Sequence, residues 1–244
     1  MSEIGIRIKG ELKVNDIPVG EASPQDPLFD DIVNEVGSNT TYVSKIDKIV
    51  LVDNTGAERD SVTSLTYSNP TGNQARITGT ISITAGYTVS YVRAYAGTKK
   101  YFETSWSRTV SSGDAVDVTL TITINVSGTL SGSTSASYVE ESISTNLAFA
   151  FTGSGRKQIG LLTAKVFSDA GALLGTFTFS RTVDTVNNRA TGDTGVVSPS
   201  STGNGAYMQY LNLNGDVLMT WNFSSYVVID INTRLRIQYT YSVS

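Results

Sequence analysis

From residue 42 to the C-terminus the chain is written in short runs in which apolar β-branched or aromatic residues alternate with polar ones, and each run ends in turn chemistry. A side-chain period of two commits such a run to a strand with one buried face, because successive Cβ atoms point to opposite sides of a pleated backbone. Strands are expected over residues 46–52, 62–67, 76–83, 88–95, 101–110 and 115–125. A second series is expected over 147–152, 161–167, 176–182, 196–197, 207–213, 217–223, 227–231 and 235–243. Between the runs stand clusters such as Asp53-Asn54-Thr55-Gly56, Asn69-Pro70-Thr71-Gly72 and Ser111-Ser112-Gly113-Asp114, which supply the backbone freedom and local side-chain bonds of tight turns. Strands at this spacing mark an all-β chain built of sandwiches, jelly-roll or immunoglobulin-like in type.

Residues 1–25 read as an N-terminal arm. Ile4, Ile6 and Ile8 alternate with Gly5, Arg7 and Lys9, Leu12 and Val14 continue the pattern, and Asn15-Asp16 turns the chain before Ile17. That is too little apolar surface for a core of its own, so Ile4, Ile6, Ile8, Leu12 and Val14 are expected to add a strand to the sheet edge of a neighbouring subunit. One short helix follows, with Asp26 as a cap, Pro27 at the first helical position, and Leu28, Phe29, Ile32, Val33 and Val36 on one face before Gly37. The stretch 126–141 opens with VSGTLSGSTSAS, a nearly uncharged composition suited to a flexible linker. The expected plan is therefore an arm over 1–25, a β-sandwich over 26–125, a linker over 126–141 and a second β-sandwich over 142–244.

The two sandwiches read as copies of one unit. Sliding the sequence by 115 positions lays Gly56-Ala57 on Gly171-Ala172, Trp106 on Trp221, Leu120 on Leu235 and Ile122 on Ile237, while Tyr91 falls one residue from Tyr207. Such self-similarity signals an internal duplication, in which each copy buries its own core. Trp106 and Trp221 recur within alternating strands, which assigns both to the core as anchors. The match weakens before Gly56, where Ile32 in the expected helix falls on Leu147 in an expected strand.

Among its 244 residues the chain has neither Cys nor His. Disulfides and thiolate metal sites are excluded, and so are catalytic triads and zinc hydrolases that need an imidazole. No enzyme activity, cofactor or metal site is expected. The formal net charge of -4 leaves no cationic excess for phosphates, so nucleic acid is not an expected partner. No apolar run approaches the roughly 20 residues that cross a bilayer, so no membrane span is expected. The N-terminus lacks the apolar block of a secretory signal.

The remaining motifs are better explained by turns and solvated surfaces. Gly153-Ser154-Gly155-Arg156-Lys157 lacks P-loop spacing, and its Ser154 and Lys157 lack the further motifs that acyl-transfer enzymes require. Asp53, Asn54 and Asp60 lack the ligand spacing of a calcium loop, and Glu140-Glu141 and Asp114 with Asp117 sit in expected linker or turn. The Asn-x-Ser/Thr triplets at Asn39, Asn125 and Asn222 carry no role without export. Tyrosine is more suggestive: Tyr207, Tyr210 and Tyr226 are candidates for contact with a ligand or a neighbouring subunit.

The order of a short helix, a strand over 46–52 ending in a turn, an aromatic strand and the closing segment Ser112-Gly113-Asp114-Ala115-Val116-Asp117-Val118-Thr119-Leu120-Thr121-Ile122-Thr123-Ile124 resembles a known repeat. It is similar to the β-sandwich unit of tail-fibre, baseplate, turret and capsid-decoration proteins of bacterial and archaeal viruses. The resemblance covers residues 26–125 and, more loosely, 142–244. It implies a structural virion protein, assembled in the host cytoplasm as a homo-oligomer together with other virion proteins. Two rival readings are a module that binds a host glycan or receptor through exposed aromatics, and a subunit of a cellular surface filament.

Overall fold

The computed structural model describes residues 1–39, 41–132 and 135–244. The first half runs β1 (Ser2–Val14), β2 (Ile17–Pro24), α1 (Asp26–Ser38), β3 (Lys48–Asp53), β4 (Glu58–Val62), β5 (Thr66–Ser68), β6 (Gln74–Ser82), β7 (Tyr87–Ala96), β8 (Lys99–Val110) and β9 (Ala115–Leu130). The second runs β10 (Ala136–Glu140), α2 (Ile143–Thr152), β11 (Thr163–Ser168), β12 (Leu173–Thr178), β13 (Ser180–Asp184), β14 (Arg189–Asp193), β15 (Gly203–Leu211), β16 (Val217–Ile229) and β17 (Gln238–Val243). The chain is predominantly β, as its period-two pattern requires, and among the described residues no helix is long and apolar enough to cross a membrane.

Strand pairing repeats from one half to the other. The order β2-β8-β7-β3-β4 recurs as β10-β16-β15-β11-β12, and the ladder β5-β6-β9 recurs as β13-β14-β17. The matching turns agree bond for bond: Asp53 N–H donates to the Ala57 carbonyl at 2.9 Å, and Ser168 N–H to that of Ala172 at 2.9 Å. Gly56 and Gly171 hold φ at 86° and 77°, which a side chain would strain.

The sequence offset is 115 only in part of the chain. It holds across β3, β4 and β6, where Leu51 matches Val166 and Ala75 matches Ala190. Longer loops then move it. Val92, opposite Leu51, matches Met208, opposite Val166; Thr104, opposite Val92, matches Trp221, opposite Met208. In the closing strands Ile122, opposite Ala75, matches Tyr241, opposite Ala190. Two expected equivalences are thereby corrected: Trp106 corresponds to Phe223 and not to Trp221, and Leu235 and Ile237 precede β17 instead of forming its core face.

The stretch 147–152, expected as a strand, lies in α2. Its apolar positions follow those of α1 at the offset of 115, with Leu28, Ile32, Val33 and Val36 matched by Ile143, Leu147, Ala148 and Phe151, all buried. The correspondence between the two halves therefore extends through the helices. Helix α1 begins at Asp26, with Gln25 at the cap position and no side-chain cap bond.

The helices do not stay with the strands of their own half. α1 packs mainly on β13, β14 and β17 as well as on β8, whereas α2 packs on β6 and β9. Gly37 of α1 comes so close to Val183 and Ala190 that a Cβ there would collide. In the reverse direction, Phe151 of α2 meets Tyr101 and Phe102 edge-on, at 6.4 and 6.0 Å between ring centroids, and its carbonyl accepts from Ile46 N–H at 3.1 Å. Each half thus supplies part of the other's core.

The arm is corrected most. β1 pairs with β9 along its whole length, from Ser2 opposite Leu130 to Val14 opposite Val118. On its other side Gly10–Val14 forms a hairpin with β2, and Ser2–Ile6 joins β17 in the one parallel pairing among the described strands. Ile4, Ile6, Ile8, Leu12 and Val14 are at most 3% exposed. The added strand is real, but the edges that receive it, β9 of the first half and β17 of the second, belong to the same chain. The expected linker over 126–141 holds the end of β9 and all of β10; its Ser133 and Thr134 lie outside the described residues.

Candidate functional site

One buried ion pair bridges the seam where α1 meets the second half. Glu35 faces inward because it shares a helical face with Leu28, Ile32 and Val36, and it is 1% exposed. Its carboxylate accepts from the Arg156 guanidinium, from Val43 N–H at 3.1 Å and from Ile159 N–H at 3.2 Å. Arg156 also donates to the Val43 carbonyl. Burial raises the Glu35 carboxyl above its ordinary range, while Arg156 and the two amides pull it down. One turn earlier, Asp31 accepts from the Tyr101 hydroxyl and from Lys99 Nζ, each at 2.5 Å.

These bonds give the Gly153–Lys157 loop a physical role. It carries Arg156 back to α1, while Lys157 Nζ reaches Asp216 at 2.7 Å and Ser154 Oγ accepts from Thr152. Ser154 and Lys157 therefore serve different partners and form no nucleophile and base pair. Five other carboxylates singled out in the sequence, Asp53, Asp60, Asp114, Asp117 and Glu140, are similarly engaged. Asp53 accepts from Thr55, Ala57 and Arg59, which holds its carboxyl well below the usual range. Asp60 accepts from Thr84, Asp114 from Ser111, Asp117 from Thr80, and Glu140 from the first turn of α2 through Ser144. Each bond fastens a turn, a strand pair or a helix start.

Trp221 and Trp106 occupy different surroundings. Trp221 is fully buried, with Tyr138 and Tyr210 at 5.1 and 6.3 Å between ring centroids, whereas Trp106 is half-buried at the core margin. Emission of a Trp106→Phe variant, which reports Trp221, is expected to be blue-shifted and shielded from iodide. Trp221→Phe should leave redder, quenchable emission, and equal quenching of the two would contradict these environments.

The three candidate tyrosines separate as well. Tyr210 is fully buried, and its hydroxyl bonds Ser2 Oγ at 2.7 Å, so it joins β15 to the start of β1 and is withdrawn as a contact residue. Tyr207 is partly exposed and stacks on Phe167 of the adjacent strand, 4.9 Å apart and 11° from parallel. Rings pressed face to face across neighbouring strands stand upright on the sheet and show solvent their edges, which is not a flat platform. Tyr226 is 59% exposed and open to contact.

Exposed large apolar side chains gather in the second half. Among the described residues, eight of the twelve lie beyond residue 135, including Tyr226, Val228, Ile231, Val196 and Leu173. An open cleft of about 290 Å³ between the sheets there is lined by Leu130, Met208, Phe223, Ile229, Leu235 and Ile237 among others. The sheet of the first half carries the partly exposed ion pairs Arg93 with Glu103, Lys100 with Glu103 and Lys48 with Glu58. No family model matches this chain, and neither the curated proteins nor the solved structures searched contain a match.

Proposed function

We propose that this protein is a structural subunit of a virion surface or tail, a tail, baseplate, turret or capsid-decoration protein that assembles with copies of itself and with other virion proteins. In this reading the chain is two tandem β-sandwich units, of jelly-roll or immunoglobulin-like type, interlocked by a shared strand and exchanged helices. The interlocking is the observation that carries it. The buried ion pair of Glu35 with Arg156 holds one half against the other, and the exposed apolar side chains are left for contacts between molecules. The resemblance of residues 112–124 to viral sandwich repeats points the same way. Contacts fall to sheet edges and faces of the second half, because the arm is already paired within its own chain.

Electron microscopy of the purified full-length protein is expected to show discrete rings, spikes or filaments. A preparation that stays monomeric at every concentration contradicts the reading. A host-glycan or receptor module is favoured by one observation, the exposure of Tyr226. Glycan-array binding by the monomer that disappears in Tyr226→Ala would select that reading instead.

A further inference from the structure

Among the described residues five strands form the outer edges of the sheets, and four of them are guarded. β4 carries Glu58, Arg59 and Asp60, β13 carries Arg181 and Asp184, β5 has only three residues, and β10 runs beside β9. Charges, shortness and covering segments are the devices by which natural sheets prevent edge pairing. β12, with the sequence Leu-Leu-Gly-Thr-Phe-Thr, has no charge at all, although it corresponds to the highly charged β4.

Beyond Leu174 the backbone of β12 also has a free side among the described residues. Phe179 N–H donates to Leu162 next to β11, so residues 175, 177 and 179 face β11, whereas the Leu174 carbonyl points the other way and accepts from Ser200 and Ser201. By the alternation of a strand, the N–H and C=O groups of Thr176 and Thr178 also point away from β11. Both residues are exposed.

We propose that β12 is a homodimerisation edge, on which β12 of a second copy of this chain adds antiparallel. The segment Thr176-Phe177-Thr178 reads the same in both directions. A two-fold axis at Phe177 therefore sets Thr176 of each copy opposite Thr178 of its partner. Their outward N–H and C=O groups close two reciprocal pairs of backbone hydrogen bonds, and the threonines form matched cross-strand pairs. An edge without charge meets no like-charge repulsion when it pairs with itself. Two five-stranded sheets become one continuous sheet.

This deepens the assembly reading and rests on it. Sedimentation velocity over a concentration series of the full-length protein is expected to show a species of twice the chain mass. Thr176→Pro removes an outward N–H that the chain's own sheet does not use, so the fold should persist while dimer affinity falls by about 100-fold. Thr176→Lys with Thr178→Lys should also be monomeric. Thr176→Lys with Thr178→Glu should dimerise again, because each Lys then faces a Glu. Unchanged Trp221 emission confirms folding in every variant. A wild-type oligomer that Thr176→Pro leaves intact overturns the edge and spares the assembly reading, whereas a wild-type monomer at all concentrations overturns both.

Discussion

A chain lacking residues 1–20 is expected to lose its cooperative unfolding transition altogether, in contrast to an arm whose removal leaves folded monomers. The deletion takes away β1, which lies inside the sheet between β9 and its two other partners, β2 and β17. Ile4, Ile6, Ile8, Leu12 and Val14 are buried, and burial of such side chains is worth about 1.5–3 kcal/mol each. The sum, roughly 7–15 kcal/mol, matches the entire net stability of a typical domain. The loss also strips β9 of a partner along thirteen residues and β17 of its only parallel neighbour. Ile6→Ala is the graded test, with an expected cost of about 2–5 kcal/mol. Urea titrations followed by circular dichroism and by Trp221 emission should shift together, since Ile6 sits opposite both Val126 and Val243. A folded monomer after the truncation would mean that the arm is dispensable.

Arg156→Ala is expected to cost about 3–5 kcal/mol, the usual effect of leaving a buried charge without its partner. Glu35 would keep the Val43 and Ile159 amides but lose the one cation that touches it. The cost depends on pH in a definite direction. Burial raises the Glu35 carboxyl above its usual 4.5, so the folded state binds the proton more tightly than the unfolded chain. Stability therefore falls as pH rises through the window between 4.5 and the raised value, and the window widens when Arg156 is gone. The deficit of Arg156→Ala against wild type should be smallest near pH 4 and largest at neutral pH. Urea midpoints at both values check it, and an equal deficit at both would place the loss in packing.

How much of this was legible in the sequence depends on the range of each interaction. The strands were legible because a period of two is a local property, and the turns at Gly56 and Gly171 because tight turns restrict residue type. Helix α2 was not, since Ala148-Phe149-Ala150-Phe151 alternates like a strand while belonging to an apolar helix. The signal that could have found it is the match of its buried positions to Leu28, Ile32, Val33 and Val36. The pairing of the two tryptophans misled because loop insertions move the register by two positions between β3 and β8.

The arm shows a different limit. Its alternation correctly marks a strand in need of a sheet edge, but no local pattern tells whether that edge lies on another molecule or over a hundred residues further along the same chain. The seam was hidden for the same reason, as Glu35 and Arg156 are 121 positions apart. Of the candidate contact aromatics, Tyr226 is exposed as a contact residue should be, and Tyr210 is consumed by the core. Sequence spacing alone does not separate them.

Differential scanning calorimetry of the full-length protein tests most directly whether the halves are interlocked. Exchanged helices and a common central strand predict one endotherm, with equal calorimetric and van't Hoff enthalpies for all 244 residues. Two resolved endotherms, with one half melting while the other stays folded, would contradict it.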